Sequence, residues 1–444
     1  MVEGSIGVCS AHHRFAFGCF RPYDRLGLVI IDEEHEWTYK QESTPYYSAH
    51  WVATELCVRT QSSLVFGSAT PALERYFSAQ QGDYLYVSLP HRINESALPV
   101  IQVVDLREEF KKRNFSIFSL ALQQAIRERL ERREQVILFV NQRGLANAVV
   151  CRDCGFTEQC DRCDISLKFH RLDSQVGLEA RERLMCHYCG RIKPVPLVCP
   201  VCQSSYIKYI GVGTQRVEND LKSLFPSVRT LRADRDTTQQ KNGFDPIYQQ
   251  FLHHEADVLI GTQMIAKGLD FKNVTLIGAI LADVGLHLPD FRGGERLFQL
   301  MTQVAGRCGR GEIPGQVLLQ TYTPDHPVIQ HLAVGDYSDF AKQELTHRSY
   351  FNYPPFERLI KCTVVGTSSD ALGAHVAQEI ALLQDLLAAH SLPLTLSDAP
   401  ALIPKMANRY YHHVLIQGQN PNLIFNYWTP PKHWRVDVDP VHTT

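Results

Sequence analysis

The chain of 444 residues contains no run of about 20 apolar residues, so it has no sequence signal for a helical membrane span. Its start, Met1-Val-Glu-Gly-Ser-Ile-Gly-Val-Cys-Ser10, lacks a basic stretch followed by an apolar one. No secretory signal is read there, and a cytoplasmic location is expected. Neither sign of charge dominates, because 45 Lys and Arg face 47 Asp and Glu for a formal charge of −2. That balance gives no hint of a nucleic-acid tail and leaves such binding to local patches. Disordered or collagen-like bias is also missing, at 44% hydrophobic and 21% charged residues. Finally, no Gly-Lys dipeptide occurs, so the phosphate-cradling loop Gly-x-x-x-x-Gly-Lys-[Ser/Thr] is absent.

What the chain does have is length for about three domains and 13 cysteines. Eight of them form four Cys-x-x-Cys pairs between Cys151 and Cys202. Such a pair sets two thiolates on one side of a tight knuckle, and two knuckles complete a closed tetrahedral zinc site. Two structural zinc ions are therefore expected. The nested arrangement is favoured, with Cys151, Cys154, Cys199 and Cys202 on the first ion and Cys160, Cys163, Cys186 and Cys189 on the second. Sequential pairing is the alternative. Disulfides do not suit a cytosolic chain, and iron–sulfur ligation fits separate knuckles less well than zinc. Of the scattered cysteines Cys9, Cys19, Cys57, Cys308 and Cys362, the last three are expected to be small buried apolar groups.

The cysteine segment interrupts an α/β pattern. Leu122, Ile126 and Leu130 mark an amphipathic helix that leads into the apolar run Gln135–Val140, a buried strand. After the insert a helix near 215–225, strands at 228–231, 257–260, 274–281 and 316–321, and a helix around 295–304 predict a helix-covered, mostly parallel sheet. Upstream, the run 26–31 reads as a buried strand and is followed at once by Asp32-Glu33-Glu34-His35. A second buried strand, 63–66, is followed by Gly67-Ser-Ala-Thr70-Pro71. In open α/β sheets ligands collect at the carboxyl ends of strands. There one carboxylate can hold magnesium and a second can orient the attacking water. Arg307 and Arg310, in Gln303-Val-Ala-Gly-Arg307-Cys-Gly-Arg310, are spaced to reach a transferring phosphate, the solvated arginine pair being the bland alternative.

These segments, with Gly261-Thr-Gln-Met264, resemble motifs II, III, V and VI of superfamily 2 helicases. The eight-cysteine insert, opening after Asn141-Gln-Arg-Gly144, narrows the likeness to the primosomal replication-restart DNA helicases. The resemblance covers almost the whole chain from about residue 26. It implies RecA-like helicase lobes, the first partial, with the small insert holding two zinc ions and an α+β C-terminal domain. Boundaries implied are 1–90 (partial first lobe), 91–134 (connector and helix), 135–150 (start of the second lobe), 151–202 (insert), 203–333 (second lobe) and 334–444 (C-terminal domain).

The function implied is ATP-dependent 3′→5′ unwinding at stalled forks. It would act as a monomer, with primosome proteins, single-strand-binding protein and the replicative-helicase loader as partners. Carried over residue by residue, Asp32 would hold magnesium and Glu33 would activate water. Gln303, Gly268, Arg307 and Arg310 would meet ATP. Trp37, Tyr39, Tyr46 and Tyr47 lie in a stretch that resembles the family's aromatic-rich loop, where rings offer sequence-tolerant base stacking; packing into the first lobe is the other reading. Lys405 and Arg409 with Tyr410 and Tyr411 form either a DNA-facing patch or a solvated edge strand. The family carries its phosphate loop upstream of the acidic motif, so an N-terminally truncated member, without ATPase of its own, is expected. Its alternative is a non-catalytic zinc-bearing DNA- or primosome-binding fragment.

Overall fold

A computed structural model describes residues 26–89, 99–141, 148–163, 165–171, 182–210, 213–234, 237, 244–266, 271–286, 289–309 and 313–443. Its centre is a six-stranded, fully parallel sheet in the order Thr230–Ala233, Val258–Gly261, Gln135–Val140, Val274–Ile280, Gln316–Thr321 and Val100–Asp105. Helices cover both faces, so central strands are apolar throughout rather than alternating. All six residues of Gln135–Val140 and all seven of Val274–Ile280 are buried. Side chains still point to opposite faces in turn. Ile137 and Phe139 join the core under the Gly293–Ala305 helix with Phe298 and Met301. Val136, Leu138 and Val140 meet Leu122 and Ile126 of the Leu120–Glu131 helix. Ser119 caps that helix by accepting from Leu122 N.

The strands expected at 228–231 and 257–260 sit one or two residues later than the apolar pattern suggested. Val100–Asp105 has a larger consequence, because it pairs in register with Gln316–Thr321 and so closes the edge of this sheet. Residues from 100 onward thus belong structurally with the second sheet.

Leu28–Ile31 and Ser63–Phe66 form a separate parallel pair. Both were expected to be buried, and here the structure differs. Leu28 is 51% and Ile30 63% exposed, and Val65 is 45% exposed. An apolar run records a need for cover; the Ala49–Thr60 helix, Arg75 and Tyr84 supply part of it, the last two on Phe66.

Two small antiparallel sheets build the cysteine insert, Ala148–Cys151 with Ile207–Ile210, and Lys168–Arg171, Glu182–Met185 and Ile192–Pro194. The C-terminal region is a four-stranded antiparallel sheet, Thr395–Met406, Arg409–Gly418, Arg358–Gly366 and Arg435–Val438, under the long helix Ser369–Ala389. Cys57, Cys308 and Cys362 are buried. No described helix is long and apolar enough to cross a membrane.

Candidate functional site

Strand Leu28–Ile31 delivers Asp32 and Glu33 at its carboxyl end, beside Gly67 at the end of its neighbour. Gly67 N donates to Ile31 O at 2.9 Å and Glu34 N to Gly67 O at 3.0 Å, which locks the two loops together. Asp32 is exposed and accepts from Glu33 N at 2.9 Å. Glu33 holds φ at 46°, a left-handed conformation uncommon for a residue with a side chain and frequent where a site stores strain.

The next two residues of the acidic motif turn inward. Glu34, 2% exposed, accepts from Ala72 N at 2.6 Å and pairs with Arg75. Burial raises its pKa, and Arg75 opposes that shift. His35 reaches Ser68 Oγ through Nδ1 at 2.6 Å and Gln303 Nε2 through Nε2 at 2.9 Å. If the amide nitrogen donates, one neutral tautomer with its proton on Nδ1 satisfies both contacts. One imidazole therefore bridges both loops of the first strand pair to the helix Gly293–Ala305. That junction lines a cleft with Trp37, Asn141, Gln263 and Gln299.

A second set of contacts pins the same helix nearer its start. Glu295 accepts from Leu73 N at 2.9 Å and from Arg348 Nη2 at 2.7 Å. Arg292 pairs with Glu74 at 3.0 Å. Burial would raise the Glu74 carboxyl, but Arg292 and Arg348 pull it below its ordinary value. Arg307 donates from Nε to Ala266 O at 3.0 Å, tying the helix end to the Gln263–Ala266 turn. Gly268 and Arg310 lie outside the described residues.

The aromatic-rich loop has no freely projecting ring among the four named. Trp37, Tyr39, Tyr46 and Tyr47 are all half-buried. Tyr39 donates to Asp32 O at 2.8 Å and sets its edge on His50 at 5.0 Å. Both readings of the loop thus have a footing, since the rings are packed yet retain exposed surface.

The eight insert cysteines gather into two groups, Cys151, Cys154, Cys199, Cys202 and Cys160, Cys163, Cys186, Cys189, each with its sulfurs within 4.8 Å of one another. This is the nested grouping. Contacts of 3.6 Å for Cys151 with Cys202, 3.5 Å for Cys154 with Cys199 and 3.6 Å for Cys160 with Cys189 exceed any disulfide. They approach the edge of about 3.8 Å that a tetrahedron with Zn–S bonds of about 2.3 Å requires. The knuckles repeat one backbone pattern. Gly155 N donates to Cys151 O, Gly190 N to Cys186 O and Gln203 N to Cys199 O at 2.8–2.9 Å, all three with positive φ. Gly155 has a second reason to be glycine, because a Cβ there would meet Tyr322 O at 2.2 Å. Two structural metal ions fit these residues. ATP with magnesium does not fit as a complete site, because the acidic pair is present and the phosphate cradle is missing from the sequence.

A family model described as the primosomal protein N C-terminal domain matches residues 349–441. The replication restart protein PriA of Bacillus subtilis is 45% identical over 399 residues, covering 90% of this chain and 48% of that protein. Its counterpart in Synechocystis is 43% identical over 403 residues, with 90% and 48% covered. That of Chlamydia pneumoniae is 38% identical over 445 residues, with 96% and 57% covered. The chain belongs to the PriA replication restart family. It spans about half the length of the first two relatives.

For this PriA-family chain, sequence reasoning named Asp32, Glu33 and Gln303 but assigned no task to Glu34 or His35, which stand in the same motif. Their presence beside two carboxylates was the available signal. Glu295 and Arg348 gave none, since a Glu and an Arg on amphipathic helices ordinarily face water.

Proposed function

We propose that the chain supplies the acidic-motif loops, second sheet, zinc insert and C-terminal domain of an ATP-dependent 3′→5′ DNA helicase, one that recognises stalled forks and initiates primosome assembly. The observation that carries this reading is the likeness to PriA proteins along 90% of the chain, reaching 45% identity. In this reading Asp32 and Glu33 serve magnesium and water, and Gln303, Arg307, Arg310 and Gly268 serve the nucleotide. The aromatic loop and local basic groups meet single-stranded and forked DNA. The eight thiolates hold two zinc ions that brace the insert and take no part in bond breaking.

No catalytic step is assigned to this polypeptide acting alone, because the loop that cradles phosphates is absent from it. That absence favours a second reading, a non-catalytic zinc-bearing module that keeps DNA and primosome contacts. Fluorescence anisotropy with a labelled fork at several salt concentrations tests what the two readings share. Fork binding whose logarithm falls linearly with log salt supports both. No fork binding at low salt sinks both. DNA-stimulated ATP turnover by the chain itself would exclude the second reading.

A further inference from the structure

Thr443 lies in no helix or strand, yet it is fully buried. After the strand Arg435–Val438, the segment to Thr443 is held by groups around the start of the Gly293–Ala305 helix. Arg292 donates to Pro440 O at 3.3 Å, Arg296 to Val441 O, and Thr443 N to Asp290 Oδ2 at 3.3 Å. Lys361, on the neighbouring strand, donates to His442 O at 2.5 Å. Arg296 and Arg292, with His442, overcome the burial of Asp290 and hold its carboxyl down at about 2.

The aromatic-rich loop grips the same segment. Lys40 Nζ donates to Val438 O at 2.6 Å and pairs with Asp437 at 2.9 Å, each side chain only 10% exposed. The His442 ring lies 5.7 Å from the Trp37 ring, and its Nε2 is 3.5 Å from Glu42. Breaking a buried pair such as Lys40–Asp437 strands a charge out of water, so this grip resists chance opening. Seven residues, Asp437–Thr443, thus join a loop beside the acidic motif to the helix that carries Gln303.

We propose that Asp437–Thr443 is an intramolecular clasp that closes the aromatic-rich loop against the Gly293–Ala305 helix, and that single-stranded nucleic acid opens it by taking Trp37 from His442. The ligand rests on the function proposed above; the clasp itself rests on the contacts. A base stacking on Trp37 competes with His442 for ring surface. Opening also frees Lys40 and Glu42 from the C-terminal segment, so occupancy of the loop is felt at the helix bearing Gln303. Lys40, Arg292, Arg296 and His442 are positioning residues in this scheme.

The test uses the 444-residue chain, a His442→Ala variant, and a chain ending at Pro440. His442 has a partly exposed side chain, and zinc content and thermal midpoint report whether each variant keeps its fold. Two measurements are made, the rate of tryptic cleavage after Lys40 and the affinity for a labelled oligothymidylate. A clasp makes both variants cleave several-fold faster than the parent and bind the oligonucleotide about fivefold more tightly or better. Unchanged cleavage in a folded His442→Ala variant overturns the clasp. Faster cleavage with unchanged affinity overturns nucleic acid as the opener. If parent and variants all fail to bind the oligonucleotide, the DNA reading of the loop fails, while the cleavage rates still decide the clasp.

Discussion

Arg348 has no exposed surface, yet its guanidinium contacts three carboxylates, Glu295 at 2.7 Å, Glu344 at 3.3 Å and Glu74 at 3.6 Å, together with Pro354 O at 3.2 Å. A buried cation shared this way adds little net stability compared with apolar packing, but removing it leaves its partners as uncompensated buried anions. Burial already raises the Glu344 carboxyl against the pull of Arg348. Arg348→Met is expected to cost roughly 3–5 kcal/mol in urea unfolding. Adding Glu295→Gln should recover part of that loss, and a strictly additive double variant would contradict the shared-cation account.

Histidine burial sets a second residue-scale expectation. His413 is lowered to about 3, by burial first and then by Lys361, His412 and His187. His50 is lowered to about 3 by burial and Arg75. Both are neutral in the fold and take up protons more readily when unfolded. Their contribution to stability is present above the ordinary histidine value near 6.5 and is lost as pH falls from there toward 3. At pH 5 each costs about 2 kcal/mol relative to neutral pH. Urea midpoints at pH 7.5 and pH 5 should therefore separate widely for the parent and less for His413→Leu. An equal separation would remove the imidazole as cause.

Among elements, the zinc knuckles make the sharpest forecast. Both insert sheets are built from strands of three or four residues, too short to stand without the metal that pins their ends. The chain should bind about two zinc ions. Cys199→Ser should lose the ion shared with Cys151, and Cys186→Ser the ion shared with Cys160, each leaving about one per chain. Under nested grouping Cys151→Ser with Cys199→Ser still leaves one ion, whereas sequential pairing would lose both, so metal content of that double variant decides between them.

Legibility in the sequence followed how local the physics was. Cys-x-x-Cys spacing and the largely apolar segments 135–140 and 274–281 are readable because each is a property of a few neighbouring residues. The strand Val100–Asp105 pairs across more than 200 residues with Gln316–Thr321, and no local pattern announces a partner. Thr395–Met406 carries no local strand signal because Asp398, Pro400 and Pro404 read as breakers, and the register shifts between Pro400 and Lys405. In the candidate site, the acidic pair Asp32 and Glu33 follows an apolar run, and Gln303 is named through the family resemblance. The bridge through His35 and the burial of Glu295 arise only when distant elements pack.

At the scale of the molecule, the decisive question is whether the cleft can turn over ATP. His35, at the end of the acidic motif, and Gln303, on the Gly293–Ala305 helix, line one cleft, with Asp32 and Glu33 just before His35 in the chain. Phosphoryl transfer nevertheless depends on holding the β- and γ-phosphates in line, a task performed by backbone amides and a lysine in the phosphate loop. Positioning of that kind accounts for many orders of magnitude in rate. The missing motif therefore outweighs all the groups that remain. The purified 444-residue chain is expected to hydrolyse ATP no faster, with or without single-stranded or forked DNA, than its Glu33→Gln variant prepared in parallel. That pairing matters, because a contaminating ATPase would raise both preparations alike. DNA-stimulated turnover present in the parent and abolished by Glu33→Gln would show that another part of this chain cradles the phosphates, and the non-catalytic reading would then fall.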